Sequence, residues 1–190
     1  MINRIDLKSI ILTEKNIDSL RTREDRTFNI KKLLGVSLTQ SQAIKFGNIF
    51  QNIIKDIVKN AGGEVLTQQF ADVYGVGDTK LHKGHKDVDI WFKIEDRMYY
   101  FEAKTNLDLD SEKSKATNNK VDDITRWMKK TYPDFIVVSG ILTCWWTREE
   151  GLPVKVQNVY FMEDFFNIID VPMTKKEYYN LMIEFGKSIK

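Results

Sequence analysis

The spacing of hydrophobic positions changes several times along the chain, and each change marks an element. Ala43, Phe46, Phe50, Ile53, Ile54 and Ile57 recur at helical spacing. They predict a helix over 39–60, capped by Thr39 or Ser41 and stopped by Gly62-Gly63. Glu64 to Phe70 reads as a strand. From Asp87 to Lys104 the period falls to two, in DVDIWFKI and RMYYFEAK, joined at Glu95-Asp96. These aromatic and β-branched runs predict an antiparallel hairpin. One face carries Val88, Ile90, Phe92, Ile94, Arg97, Tyr99, Phe101 and Ala103 and should look into a core. The other carries Asp87, Asp89, Trp91, Lys93, Met98, Tyr100, Glu102 and Lys104 and is expected to look outward.

Further along, Val121, Ile124, Trp127 and Met128 predict a helix over 119–130, ended by Pro133. The apolar run from Phe135 to Trp146 predicts a central strand buried on both faces. Val156 to Met162 reads as another strand, and Glu163 to Phe166 as a short helix or turn. Thr174 to Lys187 reads as a closing helix with a Thr174–Glu177 capping box. Thr13 is placed to cap a short helix reaching about Arg23. Segments 72–86 and 105–118 read as loops. The order strand, strand, helix, strand implies a crossover and a mixed sheet. The fold class is therefore α/β, a mixed central sheet of about five strands flanked by helices. One domain is expected over 1–190, with 1–37 as a lead-in and 38–190 as the core.

Composition narrows the picture modestly. The 190 residues are 42% hydrophobic and 29% charged, as in ordinary globular proteins. Lys and Arg number 29 against 27 Asp and Glu, a net charge of +2. Any nucleic-acid partner must then be met by a local basic patch rather than by bulk charge. The single Cys144 allows no internal disulfide, which fits a reducing cytoplasm, and within ILTCWW it reads as a small buried hydrophobe. No apolar run reaches membrane-spanning length, and the first residues do not resemble a signal peptide, so no membrane is expected as a partner.

The candidate chemistry follows from the hairpin register. With a two-residue turn at Glu95-Asp96, Ile94 opposes Arg97, Asp89 opposes Glu102 and Asp87 opposes Lys104. Opposed side chains lie about 5 Å apart at Cβ, and like charges there destabilise a sheet. Two such carboxylates raise one pKa or share a cation. Asp89, Glu102 and the Ala103 carbonyl are oxygen donors suited to Mg²⁺, which keeps several waters. Lys104 falls on the same strand face as Glu102. A metal, its water and a nearby ammonium are the parts needed to hydrolyse a phosphodiester. Mixed charge is also ordinary on a solvent-facing strand, where an Asp87–Lys104 pair contributes little. That reading gives no reason to oppose two acids.

Asp89 followed by Glu102-Ala103-Lys104 at the end of the next strand resembles the PD-(D/E)xK nuclease superfamily, which includes most type II restriction endonucleases. The match covers about a tenth of the chain, and Val88 stands where the family name has proline. Asp89, between Val88 and Ile90-Trp91-Phe92, fits the first acid better than Asp87. The resemblance implies a Mg²⁺-dependent endonuclease acting on double-stranded DNA, with Asp89, Glu102 and Lys104 as catalytic residues. It also implies a homodimer, since one active site cuts one strand. Lys83 and Lys86 in the loop before the hairpin, and Lys113, Lys115, Asn118, Asn119 and Lys120 after it, are of the types that contact phosphates and bases. In the family a helix before the sheet often turns an acid to the site; here the nearest residue is Gln51, which also reads as the polar border of its stripe. His82 and His85 have no third ligand for a structural zinc site. A structure-selective repair or junction-resolving nuclease, and a non-catalytic DNA-binding domain, remain the alternatives.

Overall fold

The structure, a computed structural model, describes residues 6–15, 27–28, 31–36, 38–66, 70–72, 85–105, 107, 109–148 and 155–188. In chain order the elements are α1 (Leu7–Ile11), β1 (Thr27–Phe28), α2 (Lys31–Leu34), β2 (Leu38–Thr39), α3 (Gln40–Asn60), β3 (Glu64–Val65), β4 (Phe70–Asp72) and β5 (His85–Asp87). There follow β6 (Ile90–Ile94), β7 (Arg97–Ala103), α4 (Ser111–Thr131), β8 (Ile136–Leu142), β9 (Val159–Tyr160), α5 (Met162–Ile168) and α6 (Lys175–Ser188). The expected α/β class holds: a five-stranded mixed sheet in the order β3-β6-β7-β8-β9, flanked by helices. β1-β2 and β4-β5 form two small antiparallel ladders beside it.

The long helix α3 starts where its chemistry demands. Thr39 accepts from the Gln42 N–H at 3.1 Å, and the Gln42 side chain accepts from the Thr39 N–H at 2.8 Å. Two otherwise orphaned donors are thereby satisfied. The helix stops at Ala61, and Gly62 takes φ +88°, a conformation that costs glycine no Cβ clash. Thr39→Ala should lower unfolding free energy by about 1 kcal/mol. Urea denaturation reads this as a lower midpoint at unchanged slope; an unmoved midpoint would mean the cap contributes nothing.

The hairpin pairs in the expected register, Ile94 with Arg97 through Ile90 with Phe101. Its turn residue Glu95 has φ +52°, matching the primed turns that suit twisted two-residue hairpins. β7 then runs parallel to β8, from Arg97↔Ile136 to Ala103↔Leu142, with α4 as the crossover. Phe92 stacks on Tyr99 at 4.9 Å between centroids, and Phe101 meets Tyr160 at 4.9 Å.

The hairpin's second face is not outward, which corrects the sequence reading. Trp91, Met98, Tyr100 and Glu102 on it are all buried. α4 covers them: Trp91 meets Trp127 edge-on at 5.6 Å and Tyr132 at 5.7 Å. α4 also begins eight residues before the predicted start at Asn119. Asp110 caps it by accepting from the Lys113 N–H at 2.8 Å, and Ser114 and Thr117 carry its buried stripe into a stretch read as loop. The apolar run at 135–146 is strand only from Ile136 to Leu142, and its first four residues are not buried. Cys144, Trp145 and Trp146 are buried beyond the strand's end. Trp146 packs instead against Phe166 of α5 and Tyr178 of α6.

Within 1–37, Leu7, Ile11, Leu33 and Leu34 belong to the same buried cluster as the sheet, so this segment is more than a lead-in. The predicted helix at 13–23 falls mostly outside the described residues. His85 and Lys86 are in β5, paired with Asp72 and Ala71, rather than in a loop. α6 has the expected cap, with Glu177 accepting from the Thr174 N–H at 3.0 Å. Among the described residues no helix is long and apolar enough to cross a membrane.

Candidate active site

β6 and β7 bring the acids together at one end of the sheet. Asp89 is one residue before β6, and the register continued by one step sets it across from Glu102. Asp89 accepts from the Ala103 N–H through Oδ2 at 3.0 Å, which ties the first acid to the neighbouring strand. Glu102 is buried and fully engaged. Its Oε1 takes the Lys104 ammonium at 2.8 Å. Its Oε2 accepts from the Tyr100 hydroxyl at 3.1 Å and lies 2.5 Å from Lys120 Nζ. The same Lys120 Nζ is 3.6 Å from Asp89 Oδ1.

These partners divide the two acids electrically. Burial pushes Asp89 up to about 6, helped by the Glu102 charge; Lys120, the Ala103 N–H and Lys104 only partly oppose this. Burial also pushes Glu102 up, but the ammonium groups of Lys120 and Lys104 outweigh it and hold Glu102 below its ordinary value. Thus Glu102 is the fixed charge of the pair and Asp89 the adaptable one. The Tyr100 hydroxyl is raised by burial and by both carboxylates, so it stays protonated and donates.

The strand geometry adds a third oxygen. Along a strand the N–H and C=O of one residue point to the same side, and successive residues alternate. Lys104 N–H donates to the Leu142 carbonyl on the β8 side. Ala103 N–H goes the other way, to Asp89. The Ala103 carbonyl therefore faces the Asp89 edge, where β6 has not yet begun. The donor set is two carboxylates and one backbone carbonyl, all hard oxygens, at a half-covered edge. That set fits Mg²⁺, which takes one or two protein carboxylates and keeps waters. Among the described residues no group of three or more His, Cys, Asp and Glu is placed to hold a metal ion.

The other expected site residues fall in different places. Asp87, in β5, pairs with Phe70 of β4, and the Lys104 ammonium goes to Glu102. Lys83 and His82 lie outside the described residues; Lys86 is on β5. Lys113 is exposed and ion-paired to Asp110 at 3.1 Å. Lys115, Asn118, Asn119 and Asp122 of α4 line an open cleft with Lys155 and Gln157. There Asn118 Oδ1 accepts from the Gln157 N–H at 3.1 Å. Lys120, grouped with these by sequence, is turned inward onto the acids. Gln51 is half-buried on α3.

Two contributors were missed in the sequence. The sequence reading sets Tyr100 on the hairpin's outward face and gives it no role, although its parity already puts it beside Glu102. Lys55 is half-buried one turn after Gln51; burial lowers its ammonium while the Asp89 charge pulls it up. Its distance of four residues from Gln51 was the available signal, because residues so spaced share a helix face. No family model matches the chain, and neither a curated protein nor a solved structure matches it.

Proposed function

We propose that this protein is a Mg²⁺-dependent endonuclease of double-stranded DNA, acting as a homodimer in the manner of a small type II restriction enzyme. The observation that carries the reading is the Asp89–Glu102 pair. Two carboxylates on adjacent strands converge at a sheet end, with the Lys104 ammonium on one and the Ala103 carbonyl edge beside the other. A purely structural sheet gains nothing from that arrangement.

Asp89, Glu102 and the Ala103 carbonyl would hold the ion. Bound there, Mg²⁺ supplies Lewis-acid polarisation of a phosphate oxygen and a more acidic water. Lys104, already aimed into the site, holds positive charge where negative charge grows on the phosphate, and as a point charge it needs no planar geometry. Glu102 keeps that ammonium in place. Lys115, Asn118, Asn119 and Lys155 around the α4 cleft supply contacts to phosphate and base edges. A twofold pairing of chains would bring two such sites to opposite strands of a symmetric sequence.

The test is digestion of supercoiled plasmid with Mg²⁺ and with EDTA, beside sedimentation of the protein with and without DNA. Discrete Mg²⁺-dependent linear fragments and a dimer are expected. Cutting confined to cruciforms would point to a structure-selective enzyme. DNA left intact across a panel of plasmid sequences, with Lys104→Ala indistinguishable from wild type in every assay, would sink the nuclease reading. A monomer that releases nicked circles before linear DNA would remove the dimer alone.

A further inference from the structure

We propose that Lys120 is a tethered counter-cation for the acid pair, occupying the position of a shared divalent ion and competing with it. The inference rests on the metal-site reading above but makes a separate demand on this chain. Lys120 Nζ contacts both acids, at 2.5 Å from Glu102 Oε2 and 3.6 Å from Asp89 Oδ1. Among the described residues Lys104 Nζ is ion-paired with Glu102 Oε1, the other oxygen of that carboxylate. The two lysines are therefore not equivalent. Lys104 flanks the pair, whereas Lys120 bridges it.

The bridge is enclosed. Exposure of the side chains is 20% for Lys120, 15% for Asp89 and 4% for Glu102. Water screens such contacts poorly, so the ammonium carries much of the task of keeping two converging carboxylates together. An ion bound by the same two oxygens would stand about 2 Å from each. It could not share that space with an ammonium 2.5 Å from one of them. Binding the ion therefore requires the ammonium to leave. Its four-carbon stem keeps it on α4, next to Asn119 and the polar cleft, where a phosphate is the natural new partner. Lys120 thus makes the empty site stable and sets how much metal is needed to fill it.

Isothermal titration of metal-free protein with Mg²⁺ alone tests this, with Lys120→Met as the main variant and Lys120→Gln as a second should Met fold poorly. Lys120→Met should bind Mg²⁺ about tenfold tighter than wild type or more. Lys120→Arg, which retains the charge, should not show that gain. Lys104→Met, which removes a flanking charge only, should gain several-fold less than Lys120→Met. In metal-free buffer Lys120→Met should melt lower than wild type, and Mg²⁺ should reverse the order. If wild type binds Mg²⁺ and Lys120→Met binds it equally or more weakly, the counter-cation role is wrong while the metal site stands. A Lys104→Met gain equal to that of Lys120→Met would reduce the effect to general charge and also overturn it. If no variant binds Mg²⁺ at all, the metal-site reading falls, and this inference with it.

Discussion

Asp89→Asn is expected to melt higher than the wild-type chain in metal-free buffer at pH 7.5, while losing cleavage by roughly a thousandfold or more. The two effects share one cause. Burial and Glu102 raise Asp89 from 3.8 to about 6, so the folded state prefers the protonated acid more than the unfolded chain does. For a raised folded pKa, the favourable contribution is complete below the unfolded value and lost as pH climbs through the folded one. Wild-type stability should therefore fall between about pH 4 and pH 6 on account of this group, by up to about 3 kcal/mol. Asparagine carries no charge and escapes the loss. The gap between variant and wild type should open through that window and stay open above it. If Asp89 holds the ion as proposed, saturating Mg²⁺ should invert the result, because the charged wild-type acid would bind it more tightly than asparagine and gain by mass action. Melting curves from pH 4 to 8, with and without Mg²⁺, check this. Asp89→Asn melting at or below wild type at pH 7.5 without metal would show that the acids are not in conflict.

A second large effect is expected at Gly140. Valine suits a strand by propensity, so Gly140→Val in β8 looks benign in the sequence. In the fold a Cβ at that position would meet the Asn158 carbonyl oxygen at 2.2 Å and the Tyr160 ring at 2.6 Å. The first contact is backbone and cannot rotate away. β9 would have to separate from β8, taking with it the Ile141 N–H to Asn158 carbonyl bond and the Tyr160–Phe101 contact. Such overpacking costs about 3 kcal/mol or more, or roughly 6–12 °C in melting temperature at this chain length. Thermal melting of Gly140→Ala and Gly140→Val should show a loss in both, larger for valine. A Gly140→Val protein as stable as wild type would mean that β9 does not pack closely on β8.

The hairpin was legible because its information is local. Period-two aromatics and a two-residue turn fix the register, and the register alone opposes Asp89 to Glu102. α3 was legible for the same reason, with a continuous apolar stripe and a strong cap. The first half of α4 was not. Its buried positions there are Ser114 and Thr117, small hydroxyl residues that leave no hydrophobic period to count. With that half taken for a loop, nothing indicated that a helix would roof the acid face, or that Lys120 would turn toward it. β5 is not legible because its three residues, His85, Lys86 and Asp87, are all polar and show no hydrophobic period to count, although they pair in register with β4. The division of roles between the acids was also invisible, since it depends on the ammonium groups that arrive from α4 and from just past the end of β7. Where Glu102 would point could be counted from the register; what would surround it could not.

α4 also places a constraint on length. Lys120 and the buried Trp127 lie seven residues apart, close to two turns, so the ammonium and the indole project from one face. Trp127 is held between Trp91 and Tyr132, which fixes the rotational phase of the whole helix. One residue inserted or deleted between 120 and 127 would turn Lys120 by about 100° and carry it off the carboxylates. Substitution at an exposed position such as Asp122 leaves that phase untouched. Between the two anchors the buried Val121 and Ile124 are held by packing, so only exposed positions such as Asp122 can change in identity, and the length cannot change by a single residue.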